Sequence, residues 1–94
     1  MNYASGNWRE IPPVPWDPGD VWLGACPTVT NYLMDSFEKA FGMRPVDVEY
    51  NRFPDGYYAT LRIDGTLETD HNYWGMLVSS KLLRSGLDLA VSVT

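Results

Sequence analysis

Two residue types that carry much of protein chemistry are almost missing. The chain has one cysteine, Cys26, and one histidine, His71. A lone thiol excludes an internal disulfide framework and a four-cysteine zinc site, and a lone imidazole excludes a multi-histidine metal site. Glycine-rich phosphate loops of the G-x-G-x-x-G or G-x-x-x-x-G-K type are absent as well, so neither a metal nor a cofactor is expected. No apolar run approaches the roughly 20 residues that span a bilayer. Residues 1–19 lack the basic start and apolar core of a secretory signal, and a cytoplasmic location is the expectation. Positive charge is also scarce: 7 Lys and Arg stand against 12 Asp and Glu, a net charge of −5. That balance argues against direct binding to nucleic acid or to anionic lipid, both of which need Lys and Arg to meet phosphate.

What is present is apolar and aromatic. The 94 residues suit one domain, and 45% apolar content is that of a globular chain. With 4 Trp and 6 Tyr, the rings outnumber what one small core can centre. Some aromatic surface is therefore expected to stay open or to lie under the N-terminal segment.

Residues 46–63 organise the rest. V-D-V-E-Y-N-R-F alternates apolar and polar side chains, P-D-G turns, and Y-Y-A-T-L-R-I runs back, which predicts a β-hairpin. Val46, Val48 and Tyr50 then share a face that needs cover, and Asp47, Glu49 and Asn51 share the other. Upstream, Pro12, Pro13, Pro15 and Pro18 rule out a helix or central strand in residues 1–19. An extended arm is expected there, anchored by Trp8, Ile11, Val14 and Trp16. Arg9, Pro12 and Pro15 also meet the R-x-x-P-x-x-P spacing of proline-groove ligands. Residues 20–25 read as a short strand, with Val21 and Leu23 opposite Trp22. A helix follows, capped by Thr28 or Thr30, in which Val29, Tyr32, Leu33, Phe37, Ala40 and Phe41 recur at helical spacing and Gly42 ends the run. Past the hairpin, residues 66–69 suggest a stub of strand and Thr69 or Asp70 a cap. Tyr73, Trp74, Leu77, Val78, Lys81 and Leu82 form the stripe of a second helix ended by Gly86. Leu87, Leu89, Val91 and Val93 then alternate with Asp88, Ala90 and Ser92.

Strand, helix, strand, strand, helix, strand is the ferredoxin-like order, βαββαβ, an α+β fold. It predicts residues 20–94 as a single domain behind the arm, with both helices on one face of a four-stranded antiparallel sheet. If residues 20–25 are not a strand, a three-stranded sheet with the same helices remains.

Candidate chemistry is thin. Cys26 would stand where a strand meets a helix N-terminus, which favours a thiolate. Cys26-Pro27 resembles the Cys-Pro step of thioredoxin-like proteins, yet residue 29 is Val and no second cysteine exists. His71 is expected to be exposed in the first turn of its helix. Asp47 and Glu49, about 6–7 Å apart at the strand rise, match a glycosidase pair in spacing but lie on an open face, where nothing raises one pKa. The topology resembles that of RNA-recognition domains, which stack bases on aromatics of two central strands. Trp22 and Tyr58 fall at comparable places, but Asp55-Gly56-Tyr57-Tyr58-Ala59 puts an acid where those domains have a base. No catalytic residue is assigned.

The open face therefore carries the functional expectation. Most of the net charge lies in residues 47–70, where Asp47, Glu49, Asp55, Asp64, Glu68 and Asp70 outnumber Arg52 and Arg62. Rings among carboxylates suit protein recognition, the rings as anchors and the acids as a guide to a basic partner. Trp22, Asp47, Glu49, Asn51, Asp55, Tyr58, Arg62, Glu68 and Asp70 are the candidate contact residues. The expected activity is non-enzymatic: occupation of a basic, nucleic-acid-binding partner such as a nuclease, by a monomer or homodimer. Immunity proteins and phage-encoded inhibitors such as anti-CRISPR proteins work in this manner. The alternatives are a ferredoxin-like dimeric enzyme or ligand-binding protein with a pocket between sheets, and an assembly subunit. A competing arrangement has Trp8 and Trp16 covering the open face.

Overall fold

The computed structural model describes residues 7–16 and 27–94. The expected strand at 20–25, Trp22 and the Cys26 thiol lie outside the described residues. Helix α1 runs Pro27–Phe41, the hairpin strands are β1 (Asp47–Phe53) and β2 (Gly56–Arg62), α2 runs Thr69–Arg84 and β3 is Leu89–Val93. A 3-10 turn, Asn7–Arg9, precedes them. Among the described residues no helix is long and apolar enough to cross a membrane.

The helices begin and end for local reasons. Pro27 opens α1, at the position where a missing N–H leaves no bond unmade and the fixed φ is already helical. Thr28 and Thr30 accordingly sit inside the helix instead of capping it, and Thr30 Oγ1 is 2.7 Å from the Tyr50 hydroxyl of β1. The N-cap of α2 is Glu68, not Thr69 or Asp70. His71 explains the shift, because its Nδ1 accepts the Glu68 N–H at 3.0 Å while its own N–H donates to the Glu68 carbonyl at 3.1 Å. That reciprocal pair closes the helix start. At the other end Gly86, at φ +91°, donates to the Leu83 carbonyl, and Leu87 donates to that of Leu82. This is a Schellman closure whose apolar partners, Leu82 and Leu87, are both in the core. Residues 66–68 form no strand; the chain bends at Asp64 and Gly65 and enters α2 directly.

Among the described residues the sheet has three strands, in the order β1-β2-β3. β1 and β2 pair antiparallel, with Asp47 opposite Arg62 and Tyr50 opposite Ala59. β3 lies parallel to β2, with Ala59 opposite Val91. This corrects the ferredoxin-like expectation. That arrangement keeps a strand between these two, whereas here β2 and β3 bond to each other directly and leave no slot. The described residues form a small α+β domain of two helices and a three-stranded mixed sheet. Its β2-α2-β3 segment is a parallel crossover with the helix as the connection.

One core joins both helices to one face of the sheet. Val29, Leu33, Phe37 and Phe41 from α1 and Trp74, Val78 and Leu82 from α2 meet Ala59, Leu61, Leu89, Val91 and Val93. Rings knit the helices together: Trp74 stands edge-on to Phe37 at 5.1 Å, and Phe41 is edge-on to His71 at 4.7 Å. Val46, expected under the helices, is 59% exposed, although its N–H donates to the Arg62 carbonyl at 2.7 Å. The α2–β3 contact is unusually close. A Cβ on Gly75 would sit 3.0 Å from the Val91 carbonyl oxygen. One turn on, Ser79 Oγ accepts the Val91 N–H at 2.8 Å and donates to the Gly75 carbonyl at 2.7 Å. α2 thus fills a backbone donor on β3, an edge strand of the described sheet.

From the arm, Trp8 is buried and stacks on Phe41, and Trp16 stands edge-on to Tyr32 at 5.2 Å. The Tyr32 hydroxyl donates to the Pro12 carbonyl at 2.6 Å. Residues 8–16 therefore lie along α1, and neither tryptophan covers the opposite face of the sheet.

Candidate binding face of the sheet

Alternation decides which side chains reach the bare side. With Val48, Tyr50, Ala59, Leu61, Leu89, Val91 and Val93 turned to the core, the odd residues of β1 and the even residues of β2 and β3 turn away. The register aligns them in rows: Asp47 beside Arg62, Glu49 beside Thr60 and Ser92, Asn51 beside Tyr58 and Ala90, and Phe53 at the hairpin end.

The first row is neutralised. Arg62 grips Asp47 with two parallel hydrogen bonds, Nε to Oδ1 at 2.7 Å and Nη2 to Oδ2. The guanidinium holds the Asp47 carboxyl below the usual carboxylate range. The protonated half of a glycosidase pair needs the reverse, a carboxyl pushed up. Asp47 is also not a free charge for a partner. Thr60 and Ser92 hydroxyls stand 3.4 Å apart in the middle row, and Glu49 has no ion-pair partner among the described residues.

The hairpin end is aromatic. Tyr58 donates its hydroxyl to Asp55 Oδ2 at 2.7 Å and stands edge-on to Phe53 at 5.2 Å. The bond to Asp55, with smaller contributions from burial and from the nearby Asp88 charge, pushes the Tyr58 phenol up. Phe53 is 51% exposed. It belongs to the face as much as Tyr58 does, and counting by twos from Asp47 would have found it.

Of the candidate residues, Asp47, Glu49, Asn51, Asp55, Tyr58 and Arg62 come together on this face and its turn. Glu68 and Asp70 do not. They stand at the start of α2, on the helical side of the sheet. His71, expected in water, is 1% exposed, because the capping bond turns its ring inward onto Phe37 and Phe41. Burial lowers its pKa against the opposing pull of Glu68 and Asp70. Among the described residues no three His, Cys, Asp or Glu side chains come together in a way that could hold a metal ion. A separate open groove of about 440 Å³ runs between the arm and α1, lined by Pro12, Pro13, Pro15, Asn31, Asp35 and Lys39 among others. Set beside protein-family models, curated proteins and solved structures, the chain matches none of them.

Proposed function

We propose that this protein is a cytoplasmic, non-enzymatic binder that occupies a basic surface on a protein partner, a nuclease or other nucleic-acid-binding assembly, and so blocks it. Immunity proteins and phage-encoded inhibitors such as anti-CRISPR proteins are the functional class this describes. The observation that carries the reading is the composition of the bare sheet face. Phe53 and Tyr58 offer ring anchors at one end, and Glu49, Asp55 and Asp88 offer carboxylates around them, while Asp47 is held by Arg62. Rings supply the desolvated contact and free acids supply steering and selectivity. An apolar face would suit sheet-on-sheet packing around a ligand pocket better; this one is mainly polar.

The test is charge reversal where the charge is free. Glu49→Lys with Asp88→Lys should abolish capture of basic nucleic-acid-binding proteins from a lysate, with the melting temperature nearly unchanged because both side chains are exposed. Asp47→Asn should do much less, since its charge is already compensated. Association with the captured partner should slow steeply as salt rises. Capture that survives both reversals, or an association rate indifferent to salt, would overturn the proposal.

A further inference from the structure

Helix α2 is apolar on two sides. His71, Trp74, Gly75, Val78 and Leu82 enter the core. On the opposite side Tyr73, Met76, Leu77 and Leu83 are 53%, 64%, 39% and 60% exposed, and their spacing places them on one helical face. Single exposed apolar side chains are ordinary, but a continuous row of them on a small domain marks a contact surface. Ser80 is the small residue within the row. Asp70 in the first turn and Arg84 in the last bound it, and neither is ion-paired among the described residues.

Those bounding charges choose the occupant. Asp70 and Arg84 are equidistant in sequence from Leu77. A two-fold axis near Leu77 therefore sets Asp70 of each copy against Arg84 of the other, closing two ion pairs with one operation. The same axis sets Leu77 against Leu77 and Tyr73 of one copy across from residues 80–81 of its partner, where Ser80 leaves room on the stripe for the ring. Antiparallel helices also place the positive end of each dipole beside the negative end of the other. A partner of one charge sign would match one end of the row and clash with the other. We infer that two copies of this chain pair through the outward stripe of α2, antiparallel, as a symmetric homodimer. The bare sheet face lies on the other side of the molecule and takes no part, so the inference stands apart from the binding proposed above.

Sedimentation equilibrium of the full chain, from micromolar to millimolar at low salt, tests it. The expected result is a monomer–dimer equilibrium. Leu77→Glu and Met76→Glu should each weaken it at least about tenfold, roughly 1.4 kcal/mol, with far-ultraviolet circular dichroism unchanged. Asp70→Arg and Arg84→Asp should each weaken it, and the double reversal should restore it, because the swapped charges meet again across the axis. Met76, the most exposed of the row, keeps the test open should the Leu77 variant fail to fold. A chain that stays monomeric throughout overturns the inference, including a monomer whose stripe binds lipid vesicles or an unrelated protein. So does a dimer that neither glutamate weakens, and so does a double reversal without rescue.

Discussion

The two helices pack into the same core yet meet water differently. α1 buries Val29, Tyr32, Leu33, Phe37, Ala40 and Phe41 and shows solvent Thr28, Asn31, Asp35, Glu38 and Lys39. Two of those outward acids are already engaged, since Arg44 reaches Asp35 at 2.6 Å and Glu38 at 2.8 Å. α2 buries a stripe of similar weight and shows solvent Tyr73, Met76, Leu77 and Leu83, with charges at its ends that have no ion-pair partner among the described residues. One helix is complete within the monomer, and the other has apolar area left over. Core packing accounts for α1 entirely and for only half of α2.

The largest effect should come from confusing the two sides of α2. Trp74→Ala removes a fully buried ring that touches Phe37 and Phe41; it should cost about 3–5 kcal/mol in urea unfolding. Met76→Ala, on the outward side, should change monomer stability by no more than about 0.5 kcal/mol. Equal losses at both positions would erase the distinction between the stripes. Ser79→Ala comes next. It strips the Val91 N–H of its acceptor, and a loss of about 1–3 kcal/mol is expected, with hydrogen exchange at the Val91 amide accelerated. Thr30→Ala in α1 removes a half-buried side-chain bond to Tyr50 and should cost about 1 kcal/mol or less, because no backbone donor is orphaned.

The smallest effect is a pH dependence confined to α2. Burial lowers the His71 pKa below its ordinary 6.5, and its Nδ1 can accept the Glu68 N–H only while unprotonated. Below pH 6.5 the unfolded chain takes up a proton that the folded chain resists, so stability is full above that pH and declines as pH falls toward the lowered value. His71→Gln keeps an acceptor at the capping position and should flatten this part of the profile. A wild-type curve that does not fall more steeply than that of the Gln variant would place His71 outside the cap.

Much of this was legible along the chain. The two-fold alternation of residues 46–63 announced the hairpin and sorted Glu49, Asn51 and Tyr58 from Val48, Tyr50 and Leu61. The helical spacing from Val29 to Phe41 marked α1 and its buried side. Gly42 and Gly86 marked both helix ends. Other features were not readable, each for a physical reason. Tyr73 and Leu77 looked like partners of Trp74 and Val78, because apolar residues at neighbouring angles do not say which of them the core will take. His71 looked exposed, because a first-turn position is exposed unless the side chain folds back to cap. Asp47 looked like a free acid until the register set Arg62 beside it.

Local pattern alone determined the hairpin, the two helices, the final strand and which side chains of those strands share a face, since those properties depend on steric preference and solvation within a few residues. The tertiary structure alone decided that β3 bonds directly to β2, that α2 turns Trp74 inward and Met76 outward, and that Asp47 is spent on Arg62. Each of those outcomes depends on which distant segments find each other, a competition among packed arrangements that no single stretch of the chain contains.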